Sequence, residues 1–197
     1  LHFDDMNRRA RLAPPPSLGS FPASPAVTLC LGILLVNGAV VLWLLMLGRG
    51  FLPAAVPLEW WSASTLADHN SQHLTDYYSA LHAISGAGLY FAACWVCPLW
   101  PLHKRLVMVL ACSGVWEVVE NTPWVIAMFN DPGSLGVYRG DSIVNALSDT
   151  AFVALGFIAA HVLPRRVLVM AGIMAEIGVA VMIHDGFILG TARIVLR

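Results

Sequence analysis

Charge is what this chain has least of. Only 12% of its 197 residues are Asp, Glu, Lys or Arg, while 58% are hydrophobic; a soluble domain usually carries about 25% charged residues. So little polar surface excludes water as the solvent for most of the chain and leaves lipid. Neither sign of charge dominates, the formal net charge being −1, so the basic footprint of a nucleic-acid-binding protein is missing. Cysteine is scarce too. Cys30, Cys94, Cys97 and Cys112 all sit in apolar stretches, without the spaced framework of a disulfide-stapled secreted protein. Cys94 and Cys97 form a lone CxxC, which needs a second pair or two histidines to hold zinc, and it reads as helix packing. No internal repeat breaks the chain into units, and its length fits one domain.

What the chain does have is long apolar runs. Crossing a hydrocarbon core of about 30 Å takes roughly 20 apolar residues in a helix. Five stretches meet that length, at 26–47, 77–97, 105–129, 142–163 and 167–189, with a kink or an end expected near Pro123. The expected fold is therefore all-α: a polytopic membrane bundle of about five transmembrane helices, forming one domain over 26–197. The first run is too long for the core of a typical signal peptide, and no small-residue cleavage site follows it. Before it lies a Pro-rich cytoplasmic tail, 1–25, whose prolines at 14, 15, 16, 22 and 25 forbid a regular helix. If ordered, such a tail needs a partner to lie against. The chain opens on Leu1, which fits a fragment, a literally translated alternative start codon, or a start at Met6.

Basic residues set the orientation, because cytoplasmic loops carry the excess of Lys and Arg. Arg8, Arg9 and Arg11 precede the first run, Lys104 and Arg105 separate the second and third, and Arg165 and Arg166 separate the fourth and fifth. Five spans put all three places on one side. N-in, C-out in a bacterial inner membrane follows, although Arg193 and Arg197 at the far end pull the other way.

At about 1.5 Å of rise per residue the intramembrane polar groups fall at one depth, on the periplasmic side. His73, Asp76, Tyr78 and His82 lie before or within the first turns of the second span. Glu117, Glu120 and Asn121 lie in the periplasmic half of the third, Tyr138 and Asp141 just precede the fourth, and Asn145, Ser148 and Asp149 occupy its first turns. The fifth climbs outward past Glu176 near mid-membrane to His184 and Asp185 near its outer end. Spacings of three, four, seven and eight residues also put these groups on single helix faces. A charge at the bilayer centre costs a few kcal/mol even on insertion scales, so stripes of them imply a shared polar interior. Carboxylates packed without cations repel; protonation, arginines reaching in, or a metal would relieve them. His73, Asp76, His82, Glu117, Glu120, Asp141 and Asp149 are the candidate ligands for a divalent metal or a polar molecule. Tyr78, Asn121, Tyr138, Asn145, Ser148, Glu176, His184 and Asp185 would support them. A carboxylate pair with a histidine could equally do general acid–base work, and the bland alternative is a network of interhelical hydrogen bonds.

The motifs Ser71-x-His73, Asp76-x-Tyr78-x-x-x-His82, Trp116-Glu117-x-x-Glu120-Asn121-x-Pro123 and Tyr138-x-Gly140-Asp141-Ser142-x-x-Asn145-x-x-Ser148-Asp149 together resemble an uncharacterised family of mainly proteobacterial integral membrane proteins. That family is known only as a domain of unknown function. The resemblance runs from about Trp60 to Leu196 and implies a shared site without naming its chemistry. It departs where the family carries Arg-Asp-Asn and this chain has His184, Asp185 and Gly186. Three functional classes fit these residues. The first is a small membrane enzyme or metal-binding protein. The second is a non-catalytic accessory subunit of a larger respiratory or photosynthetic complex, held partly through the tail. A transporter comes third, since no inverted repeat supplies alternating access.

Overall fold

The computed structural model describes residues 24–53, 56–130 and 137–196, and these form helices without strands. In chain order they are α1 (Pro25–Met46), α2 (Tyr77–Val96), α3 (Leu102–Glu120), α4 (Pro123–Phe129), α5 (Ile143–Val162), α6 (Arg165–Ile183) and α7 (Phe187–Val195). Each start has a local cause. The side chains of Ser24, Asp76, Thr122 and Ser142 accept from the free amides of α1, α2, α4 and α5, and Pro25 and Pro123 occupy first-turn positions, where the missing N–H costs nothing.

Two of the expected spans are broken. The run 105–129 is two helices, because Pro123 cannot donate within a helix and disfavours helical geometry at Thr122. The run 167–189 ends at Ile183. There His184 (φ 55°) and Gly186 (φ 141°) turn the chain through left-handed geometry before α7 begins. The proline-rich tail up to residue 23, and with it any contact to a partner, lies outside the described residues.

Five long helices lie side by side, and their contacts fix their directions. Val107 of α3 lies against Gly32 of α1, and Trp43 Nε1 donates to the Val118 carbonyl at 3.1 Å, so α1 and α3 run parallel. Val40 and Leu44 of α1 share a core cluster with Ile143 and Ala146 of α5, and the Ile143 N–H at the start of α5 donates to the Gly50 carbonyl just past the end of α1, so α5 runs against α1. On α2 and α5 the backbones touch twice: a Cβ at Gly86 would overlap the Val153 carbonyl, and one at Gly156 would overlap that of Ala83. Their direction follows from the contacts on either side of that crossing: His82 lies by Asp149 and, further along both helices, Tyr90 packs on Phe157, so α2 and α5 run parallel. The Arg165 guanidinium sits 5.7 Å from the Phe91 ring centre, and Tyr78 bonds Asp185, so α6 opposes α2. Three helices point one way and two the other.

Four of the five, α1, α2, α5 and α6, are long and apolar enough to cross a membrane. The fifth, α3, is 19 residues long but carries Lys104, Arg105, Glu117 and Glu120. Outward-facing side chains of α1 and α6 are overwhelmingly apolar, including Leu34, Leu35, Leu42, Met170, Met174 and Val181. Exposed tryptophans ring both ends, Trp95 and Trp100 beside the basic turns, Trp60, Trp61 and Trp124 at the opposite end, as in membrane proteins with aromatic belts. The molecule is a helical membrane bundle. At its basic end Arg105 donates to the carbonyls of Cys97 and Pro98 and to Cys94 Sγ at 3.1 Å, and all four cysteines are free thiols.

Candidate functional site

The opposite end carries the polar groups, and close helix approach brings them together. With no side chain at Gly86 or Gly156, α2 and α5 meet backbone to backbone, which carries His82 of α2 toward Asp149 of α5. His82 Nε2 lies 3.6 Å from Asp149 Oδ2, and its Nδ1 lies 3.9 Å from Glu117 Oε1 on α3. Glu120, one turn on, completes a set: His82, Glu117 and Glu120 each offer a ligand atom, all within 4.8 Å of one another. Ligands around one ion at about 2.0–2.6 Å stand no further apart than about 5 Å, so these atoms fit a common cation. Glu117 is fully buried. Both its carboxylate oxygens, with Glu120 Oε2 and Asp149 Oδ1, are buried without a hydrogen-bond partner, an arrangement proteins rarely leave uncompensated.

A second polar layer lies in the loops above, and there the bonds are complete. Asp141 accepts from the Tyr138 hydroxyl at 2.6 Å and from Asn121 Nδ2 at 2.5 Å, while its own N–H donates to Asn121 Oδ1 at 2.8 Å. Burial pushes the Asp141 carboxyl above its ordinary pKa, and the two donors pull it part of the way back. Asp76 caps α2 by accepting from Tyr78 N–H, and its other oxygen accepts from Ser71 N–H; burial raises its pKa as well. His73 Nδ1 accepts from the Glu59 amide at 3.2 Å, so its proton sits on Nε2. Asn145 donates to the His73 carbonyl at 2.9 Å. The long loop between α1 and α2 also satisfies α5, since Ser142, Ile143 and Val144 donate to the carbonyls of Ser71, Gly50 and Phe51.

The seven candidate ligands thus fall into two groups. His82, Glu117, Glu120 and Asp149 face one another between helices, whereas His73, Asp76 and Asp141 are tied into the loop layer. Of the supporting residues, Asn121, Tyr138 and Asn145 build that loop layer. Tyr78 donates to Asp185 at 2.9 Å, joining α2 to the turn after α6. Glu176 accepts from the amides of Phe187 and Ile188, so it caps α7 rather than facing the cluster. His184 is exposed at its left-handed turn, and Ser148 is half-buried on α5.

Sequence reasoning overlooked Arg49. A Cβ at Gly140 (φ 90°) would come within 2.5 Å of Arg49 Nη2 and 2.8 Å of Asn121 Oδ1. The guanidinium therefore lies on the loop layer, while Arg139 stays exposed. Its only signal was position, a lone arginine between Gly48 and Gly50 after the first span.

Beside the cluster is a cavity of about 620 Å³, walled by Leu81, Ser85, Gly88 and Leu89 of α2, Cys112, Ser113 and Trp116 of α3, Val153 of α5, and the α6–α7 turn with Phe187. Its wall is mostly apolar. His82 and Glu120 reach it, as do Tyr78 and Asp185, and the buried Ser113 hydroxyl has no partner.

The chain matches the family described as a protein of unknown function, DUF2585, over residues 44–196. It is 33% identical to a UPF0314 protein of Brucella anthropi over 147 residues, 75% of this chain and 74% of the relative. Identity to a UPF0314 protein of Rhizobium meliloti is 31% over 166 residues, 84% of this chain and 83% of the relative. A UPF0314 protein of Paracoccus denitrificans is 33% identical over 156 residues, covering 79% and 80% of the two chains. No solved structure matches it significantly. A match spanning the bundle from the end of α1 onward, with the polar residues of both layers inside it, makes this chain a member of the DUF2585 family.

Proposed function

We propose that this protein crosses the bacterial inner membrane five times, N-terminus inside, as one domain over 26–197, and holds a divalent cation between α2 and α3. His82, Glu117 and Glu120 are the ligands, His82 through Nδ1. Asp149, on the other edge of the imidazole, receives Nε2–H and orients the ring, as carboxylates commonly do behind metal-bound histidines. The observation that carries this reading is the group of buried, unpartnered carboxylate oxygens gathered around His82. Like charges so placed repel, and a cation of charge +2 both cancels them and supplies the missing contacts. Imidazole with carboxylates suits a first-row transition ion such as zinc, iron or manganese.

The five-span reading is supported by the direction of α3, which runs alongside α1 in the same bundle, and by the gathering of Lys104, Arg105, Arg165 and Arg166 at one end. Elemental analysis of protein purified from membranes without chelator tests the site. About one equivalent of a transition ion is expected per chain, falling at least tenfold in an E117Q/E120Q double variant. Metal at background levels in wild-type protein, after growth with zinc, iron and manganese in turn, overturns the proposal.

A further inference from the structure

The cavity beside the cluster has two unlike ends, and it lies where lipid can enter it. We infer that it binds a single-chain lipid with a phosphate head, the chain along Leu81, Leu89 and Val153 and the head against the cation, so the inference rests on the cation reading above. Three observations carry it. First, of the four clustered side chains only His82 and Glu120 line the cavity; Glu117 and Asp149 stand behind them. A cation held there keeps its open coordination positions on the cavity side, where an anionic oxygen ligand completes them. Second, the long wall is apolar, and a volume of about 620 Å³ lies within the roughly 300–1,000 Å³ of sites for one small molecule. Third, among the described residues α3 and α6 have no more than marginal contact with each other, though both pack on α2. At the α7 end of that gap the cavity lies between α3 and α7: no residue of α6 lines it, its rim is Phe129 of α4 with Phe187, Gly190 and Thr191 of α7, and Trp116 and Phe187 beside it are exposed. A gap between two helices of a membrane bundle faces acyl chains, not water. Water-soluble phosphates would meet an apolar entrance, so the source of the head is a lipid.

Gly88 gives a clean test, since it lines the cavity and a Cβ there meets nothing within 4 Å. The probe is hexadecyl phosphate with a photoactivatable diazirine in its chain, added to the purified protein with its metal content measured in the same sample. Cross-links are expected on the cavity walls of α2 and α3, falling at least tenfold in G88W and after chelation, while G88W keeps the wild-type metal equivalent. Unlabelled hexadecyl phosphate should compete, and inorganic phosphate at the same concentration should not. Equal competition by inorganic phosphate overturns the lipid assignment. Labelling spread over the outer faces of α1 and α6 and unchanged in G88W, with metal bound, overturns the inference and leaves the cation site standing. Labelling of the cavity in protein that binds no metal overturns the head-to-cation contact and the cation reading together.

Discussion

Asn121 holds three bonds at once: its Nδ2 reaches Asp141 Oδ2 and the Glu117 carbonyl, and its Oδ1 takes the Asp141 amide. Tyr138 makes one bond to the same carboxylate. Orphaning a buried polar group costs about 1–3 kcal/mol, so N121A should lower the thermal unfolding midpoint in detergent clearly more than Y138F. Equal losses would mean that the two side chains do not share the load as drawn. Asp149 belongs to a different kind of residue, since it touches the histidine and not the proposed ion. D149N should weaken metal affinity by about 10–100-fold, measured by chelator competition, with the unfolding midpoint of the chelated protein unchanged. If affinity held while stability fell, Asp149 would be a structural partner only.

Among the helices, the α2–α5 contact is the most sensitive to a single atom. At Gly86 and Gly156 the added Cβ meets carbonyl groups of the neighbouring backbone, which cannot swing aside. G86A or G156A should each destabilise by at least the roughly 1–3 kcal/mol typical of overpacking and separate His82 from Asp149. G88A, two residues from Gly86 on the open side, should be neutral or gain up to about 1 kcal/mol from helix propensity. Unfolding midpoints of the three variants side by side decide this, and a harmless G156A would remove the close approach from the argument. The sequence foretold the break at Pro123 because proline carries its own mechanism. It did not foretell the turn at His184–Gly186, where a histidine takes the left-handed geometry that asparagine or glycine usually marks. Nor did it reveal Glu176 as a cap, since a carboxylate on a helix face looks the same whether it bonds a cation or two amides.

For the molecule as a whole, sidedness is the first thing to measure. With native cysteines replaced, a membrane-impermeant thiol reagent should label W60C from outside intact spheroplasts and R166C only after lysis. R166C labelled from outside would reverse the topology. Depth along a helix was legible because rise per residue is fixed, so the polar groups could be assigned to one end from spacing alone. Which of them meet was not legible, because that depends on where two glycines let helices touch and on a loop of nearly thirty residues, 48–76, folding back over α5. The polar load of α3 bears on how the protein is made. Lys, Arg and Asp each oppose insertion by about 2.5–3.5 kcal/mol at a helix centre and less toward the ends. With two basic residues at one end and two glutamates at the other, α3 emerges from the ribosome as a poor stop for the translocon. Its neighbours α1 and α2, made earlier, offer Val36, Val40 and His82 to receive it. On the proposed five-span topology, entry of α3 would be a docking event onto helices already in the bilayer, and a nascent chain lacking α1 would leave α3 stranded on the side of its basic end.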